Sequence, residues 1–471
     1  MIKNTGERNL KLSLNSYIGD RAFYKRVLAI ALPMIIQNTV TNLVNLLDNL
    51  MVGSLGTEQM SGVAIVNQFI FVFNLAVFGA ISGAGIFTAQ FNGRGDVEGV
   101  RQTMRMKLII CAVIGVLGVG VLSVFGDYLI TTFLHEGTEG DLALTLLSGE
   151  KYLSCIIIGL IPFAFSQVYA STLRETGETV VPMVASVVSI ATNFVFNGLL
   201  IFGLLGFPEL GVEGAAIATA ISRFTELFIL FAWTHRNKVK CPFAVGVFSN
   251  FRIPTALVKQ ILIKGTPILL NELFWSLSVT VSNQCYSLRG LDVVAAMNIS
   301  FTLQNLLSVA YFALSSSIAI IVGNLLGAGK LEEAKETDRK LLGFAVFVGC
   351  CMTVIQLTLS GVFPLLYNTT DEVRHLSSYI MTCFALTMPA AALATSTYYT
   401  IRSGGRVFIT MLFDSVYAWV IVMPVVFSLA YFTSLPFKYL LPIVLVVENL
   451  KLLPGLILVN KGIWVRQIKV E

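Results

Sequence analysis

Apolar residues gather into twelve long runs, at about 27–53, 60–90, 106–134, 150–173, 180–203, 211–234, 257–288, 294–326, 341–366, 376–401, 407–431 and 437–460. Each is long enough to cross a bilayer as a helix, which takes about 20 residues. The pattern predicts an all-α polytopic membrane protein with twelve spanning helices. The first run stays polar-striped to its end and has no small-residue cleavage site after it, so it reads as a retained helix and not a leader.

Two runs carry polar stripes. In the first, Asn38, Thr41, Asn42, Asn45, Asp48 and Asn49 recur at steps of three and four and share one helical face. In the seventh, Glu272, Ser276, Thr280, Asn283 and Ser287 do the same. Unpaired polar groups are costly in hydrocarbon, so both stripes are expected to face other helices or a water-filled cavity. A carboxylate within a span is a functional candidate by default, which singles out Asp48 and Glu272. Pro33 removes a backbone donor inside the first helix and is a candidate hinge.

Composition agrees: 55% of the 471 residues are hydrophobic and 13% are charged, against about 25% charged in soluble domains. The net charge of +5 is no nucleic-acid signature, because it follows topology. The N-terminus and the loops on its side hold 26 Lys and Arg, and the opposite loops hold four. The positive-inside rule then puts both termini in the cytoplasm of a multi-pass cell-membrane protein. The seven cysteines show neither metal spacing nor loop pairing. His135, His235 and His375 fall in presumed loops and are given no role. NGRG and GAGK read as glycine-capped helix stops and not as phosphate loops. No metal site, cofactor or catalytic nucleophile is expected.

The chain repeats itself. At an offset of 234, residues 33–105 give 14 ungapped identities, among them Pro33 with Pro267, Gly93 with Gly327 and Arg105 with Arg339. Further on the offset is 228, aligning LRETGET at 173–179 with IRSGGRV at 401–407. Six helices per half makes a parallel repeat about an axis along the membrane normal, an arrangement found in secondary transporters. The expected units are a cytoplasmic segment 1–26, an N-lobe 27–236, a cytoplasmic linker 237–256, a C-lobe 257–460 and a cytoplasmic tail 461–471.

These features resemble the multidrug and toxic-compound extrusion (MATE) transporters. The carriers of the likeness are Pro33 and Asp48 before MVGSLG, the turns at Gly93–Gly95 and Arg174–Gly177, GVEGAAIATAISR from Gly211, and the second-half echoes. The resemblance implies a V of two six-helix bundles that expels amphiphilic, often cationic organic compounds in exchange for H⁺ or Na⁺. It also implies a cation or proton site of Asp48, Asn193, Asn197 and Thr219, all in the outer half of the membrane by their places along their helices. Some members carry an acid on the fifth helix where this chain has Asn197, and an acid on the tenth helix where this chain has none. With one carboxylate and several neutral ligands, the site favours H⁺.

The expected substrate cavity takes in Glu272, Trp275, Asn38, Asn42 and Asp414. Phe274, Tyr398 and Tyr399 are further candidate walls, since ring faces beside a carboxylate suit lipophilic cations. For Asp414 two readings stay open, a titrating group or a cap on a broken helix near Arg402 and Arg406. Glu226 with Arg223, and Glu448 with Lys451, are spaced as i,i+3 ion pairs. The rival function is a flippase for a lipid-linked precursor; against it, membrane acids outnumber bases and there are twelve helices. An intramembrane enzyme would need a metal or nucleophile set that the sequence lacks. The partners expected are small organic substrates and the bilayer, around a monomer.

Overall fold

The computed structural model describes residues 14–133 and 141–468, without the side chains of 14, 15 and 44–46. The side chain of Asn45 and all of His135 therefore lie outside the described residues. Twelve long helices follow in order: α1 Arg21–Gly53, α2 Thr57–Arg94, α3 Val97–Thr131, α4 Leu142–Glu175, α5 Val180–Ile201, α6 Val212–Arg236, α7 Thr255–Ser287, α8 Leu291–Gly327, α9 Leu331–Ser360, α10 Asp371–Ser403, α11 Val407–Tyr431 and α12 Phe437–Asn460. Eleven are long and apolar enough to cross a membrane. The exception, α7, is diluted by its polar stripe and by Lys259 and Lys264.

Several helices outrun their apolar runs because polar residues cap them. Asp96 accepts from the Gly99 amide at 2.8 Å and starts α3 well before the apolar stretch at 106. Asp20 and Asp141 cap α1 and α4 in the same way. Gly95 ends α2 at φ +73°, a conformation that side chains disfavour, as the helix-stop reading of NGRG expects. His235 and His375 belong to α6 and α10 and not to loops, a correction with the same cause. Within α11, residues 412–416 and 418–422 widen to π-helical geometry, which hydropathy does not foretell.

Helices α1–α6 pack as one bundle around α2 and α4, and α7–α12 as a second around α8 and α10. The bundles meet where α2 lies against α7 and α8, and α1 against α8. At one end the seam is two-fold. A Cβ on Gly93 would stand 2.0 Å from the Asn324 carbonyl oxygen, and a Cβ on Gly327 would stand 2.0 Å from that of Gln90. Gly93 with Gly327, and Gln90 with Asn324, are both pairs at the 234 offset. Each repeat thus offers its glycine to the other's backbone, as in an isologous dimer. Asn92 donates to Asn324 Oδ1 at 2.7 Å across the seam. The chain end is strapped over it: Gln90 Oε1 accepts from the Ile468 amide at 2.7 Å, Arg94 donates to the Ile468 carbonyl, and Gln467 donates to that of Gly327 at 3.1 Å.

Candidate functional site

A cavity of about 560 Å³ lies between the bundles, walled by α1, α2, α4, α5 and α6 from one and by α8 and α10 from the other. Asp48 is on its wall, with Asn193 and Thr219. Asn197 Nδ2 donates to Asp48 Oδ1 at 2.5 Å. With the Asn193 amide turned so that nitrogen faces the carboxylate, it donates to Oδ1 at 2.9 Å and Oδ2 at 3.1 Å, and accepts from Thr219 Oγ1 at 3.1 Å; the partners decide that orientation. Three helices, α1, α5 and α6, thereby meet at one carboxylate. Asn197 Oδ1 is buried with no donor among the described residues.

The cavity has two other carboxylates, Glu175 and Glu226. Glu175 pairs with Lys107 at 2.5 Å, and Lys107 is fully buried among Ser171 and Thr172. Glu226 accepts from Ser186 at 2.8 Å and lies 3.8 Å from Arg223, the i,i+3 partner that the spacing predicts. Ser186 in turn accepts from Gln37 at 2.7 Å, and Gln37 Oε1 receives Arg174 at 3.4 Å. Among the described residues, Asp48 is the one carboxylate on the cavity wall without a basic group within 4.0 Å.

The residues expected to line a substrate cavity divide. Asn38 lines it, while Asn42, Glu272, Trp275 and Asp414 do not. At about 100° per residue, Gln37, Asn38, Thr41 and Asp48 fall in a sector about 100° wide, and Asn42 lies beyond its edge. Asp414 turns into its own bundle, accepting from Lys451 at 2.9 Å and Asn271 at 3.0 Å. That also displaces the expected pairing of Lys451 with Glu448: Lys451 bridges to α11 instead. Glu272 is half-buried behind the wall, with no ion pair or hydrogen bond among the described residues, and Trp275 is 41% exposed. Tyr399 is on the wall, while Tyr398 and Phe274 are not. Pro33 is buried within α1, one turn before Gln37.

Sequence reading missed three groups. Gln37 sits beside the noted Asn38 yet is the buried one. Lys107 and Arg402 fall at the edges of their apolar runs, where a cation reads as a loop residue, yet both are buried. Asn271 is 2% exposed and ties α7 to α10 and α11 through Tyr398, Asp414 and Ser415. Its neighbour Glu272 is the more conspicuous residue in the sequence, because a charge is rare within a membrane span.

With this geometry in view, comparison with known proteins is informative. The chain is 26% identical over 422 residues to the probable multidrug resistance protein NorM of Thermotoga maritima, covering 87% of this chain and 86% of the relative. It is 24% identical over 422 residues to the protein of the same name in Bacillus subtilis, covering 87% and 89%. In fold it superposes on an outward-facing multidrug resistance MATE family transporter of the MOP superfamily with a TM-score of 0.82 at 19% identity, covering 95% and 97% of the chains. A MATE in the bent conformation gives 0.83 at 18% identity, covering 96% and 97%. The MatE family model matches residues 33–199 and 267–428, one stretch in each bundle and most of the chain. This protein, a multi-pass membrane protein of two six-helix bundles, belongs to the MatE family.

Proposed function

We propose that this chain is a secondary active antiporter that expels amphiphilic, often cationic organic compounds in exchange for H⁺ or Na⁺. The observation that carries the reading is the lone acid: Asp48 faces the inter-bundle cavity with no basic partner, while the other two cavity carboxylates are neutralised. An uncompensated carboxylate held by two amides, one of them braced by the Thr219 hydroxyl, is a place where a proton or Na⁺ can bind and leave. The donor set is all oxygen once the amides turn, which suits both ions.

In this reading Asp48, Asn193, Asn197 and Thr219 are the coupling site, and the cavity wall beside Asn38 takes the compound. Ion and substrate each shift the equilibrium between conformations by their difference in affinity for the two states. Discharging Asp48 frees Asn193 and Asn197, on α5, from α1. Pro33 lets α1 bend in response, because the backbone bond that would stiffen it there is missing. Asp414, tied to Asn271 of α7 and Lys451 of α12, serves the packing of the second bundle. The excess of Lys and Arg on one side supports a cytoplasmic location for both termini and, with them, for the glycine seam. The seam then closes the cytoplasmic side of the cavity. The flippase alternative is not favoured, since the relatives are named for multidrug resistance.

The test is substrate flux in proteoliposomes driven separately by a pH gradient and by a Na⁺ gradient. Export driven by either one supports antiport. Flux indifferent to both gradients overturns it.

A further inference from the structure

Three cationic side chains are less than a tenth exposed among the described residues: Arg105, Lys107 and Arg402. Arg105 has Glu98 at 3.3 Å and the carbonyls of Val247 and Gly246 at 2.9 and 2.7 Å. Lys107 has Glu175 and two hydroxyls. Arg402 is 5% exposed and has no carboxylate within 4.0 Å, and its Nη1 has no hydrogen-bond partner among the described residues. Its guanidinium lies near the rings of Tyr398 and Tyr399, 5.9 and 5.4 Å from their centroids. A side-chain hydrogen bond to Tyr398 engages one part of the group, and Nη1 is left unspent among the described residues. Glu272 acts on Arg402 only from beyond ion-pair distance.

A buried charge without a partner is expensive, and structures retain one where something else completes it. Arg402 lines the inter-bundle cavity. So does Arg174, which also lacks a carboxylate within 4.0 Å and spends one N–H on the long 3.4 Å bond to Gln37. The two are repeat mates at the 228 offset, each the penultimate residue of its helix, α4 and α10. One arginine from each bundle therefore faces the same space. Phe78, Phe163 and Ile190 supply apolar wall in that space.

We propose that Arg402, with Arg174 across from it, binds the carboxylate of a zwitterionic or anionic amphiphile in this cavity. The cavity then accepts compounds that bear an oxyanion as well as simple cations. A guanidinium edge matches a carboxylate with two parallel N–H···O bonds, and burial strengthens them. The inference rests on the cavity being the substrate path proposed above. It concerns which substrates are held, whereas the coupling concerns what drives them.

The experiment is equilibrium binding of two dyes to the purified full chain by fluorescence anisotropy at neutral pH. Rhodamine 110 carries a free carboxylate, and rhodamine 123 is its methyl ester. Wild type should bind the free acid at least as tightly as the ester. Arg402→Gln should weaken rhodamine 110 roughly 10- to 100-fold, the worth of a charge-assisted pair, and rhodamine 123 by less than about threefold. Arg402→Lys should fall between, and Arg174→Gln should show the same selectivity at smaller size. Ester binding reports that each variant is folded. Equal losses for both dyes, or no loss for the acid, overturn the proposal. So does a wild-type preference for the ester above about tenfold, which needs no variant at all. Displacement of rhodamine 110 alone by short-chain phosphatidylglycerol would give the site to a lipid phosphate and also overturn it. The antiport reading fails separately, through gradient-independent flux with this binding selectivity intact.

Discussion

Replacing Asp48 with Asn removes the charge and little else. The carboxylate accepts from Asn197 at 2.5 Å and from the turned amide of Asn193 at 2.9 Å. Hydrogen bonds to a charged group contribute about 1.5–3 kcal/mol each. In Asp48→Asn both neighbouring amides can rotate to present oxygen to the new NH₂, and the desolvation of a half-buried charge disappears. The net change in stability should therefore stay within about 2 kcal/mol. The loss falls on coupling. Exchange of one ion for one cationic dye moves no net charge, so the drive is the ion's own gradient: a roughly 50-fold ratio stores about 2.3 kcal/mol and sustains a dye ratio of the same order. A variant that cannot bind and release the ion has no share in that energy. In proteoliposomes carrying an ion gradient of roughly 50-fold, wild type should build a dye gradient of that order, and Asp48→Asn should equilibrate the dye to a ratio near one. Rhodamine 123 binding should change by less than about tenfold, since the drive is broken and not the grip. An Asn variant that still sustains more than a tenfold gradient would refute the assignment and leave Asp48 as a packing acid.

Lys107→Ala strands Glu175 and should cost about 3–5 kcal/mol in thermal or denaturant unfolding of the detergent-solubilised protein; Lys107→Met combined with Glu175→Gln should recover most of it. Gly93→Ala puts a methyl 2.0 Å from the Asn324 carbonyl oxygen, where carbon contacts need about 3.5 Å, so it should pry the seam apart. The readout is the disulfide yield between Asn92→Cys and Asn324→Cys, whose parent side chains touch at 2.7 Å; it should fall by more than half. Cys241 lies outside the membrane segments, where burial first and Glu178 second push its thiol up to about 11. Its protonated form therefore persists through pH 8, and iodoacetamide should alkylate it about 100-fold more slowly in the native protein than after unfolding, rising with pH toward 11.

What the sequence disclosed was whatever has a period or an echo. Twelve apolar runs became twelve helices because in a bilayer the backbone has no other partner than itself. The stripe on α1 located Asp48, because helical spacing reports a shared face, whereas Asn193, Asn197 and Thr219 came from the resemblance to MATE transporters and not from spacing. Which residue on a stripe turns inward was legible only to within a step: Asn38 was noted, while Gln37 makes the buried bond to Ser186. Pairings between distant helices were not legible. Lys107 meets Glu175 across 68 positions and Lys451 meets Asp414 across 37, and no local rule outranks the tertiary choice among several possible acids. The i,i+3 rule found Arg223 with Glu226 and failed for Glu448, since α11 widens at 412–416 and brings Asp414 to Lys451. Charge counting missed Arg402 and Lys107 for a related reason: helices outrun their apolar runs, so a cation at a hydropathy boundary can still be buried.

The internal repeat divides the residues by duty. Those that match across the two halves, Gly93 with Gly327, Pro33 with Pro267 and Arg174 with Arg402, make the seam, the prolines inside the unbroken helices α1 and α7, and the paired cations of the cavity. A two-fold frame of this kind needs the same residue on both sides, because each side is the other's partner. The acid does not match. Ser282 stands at the place that Asp48 would occupy in the second half, and its hydroxyl meets Met423 at 3.4 Å. The places of Asn193 and Asn197, at the 228 offset, hold Ile421 and Val425. A carboxylate at 282 would thus be surrounded by apolar side chains with no amide to receive it, and its burial would cost several kcal/mol. Loss of the acid and loss of its ligands go together, as they must if the amides are there for the charge. On the antiport reading proposed above, the asymmetry gives the transporter one ion switch on one bundle, and the symmetric seam is the surface against which that bundle moves.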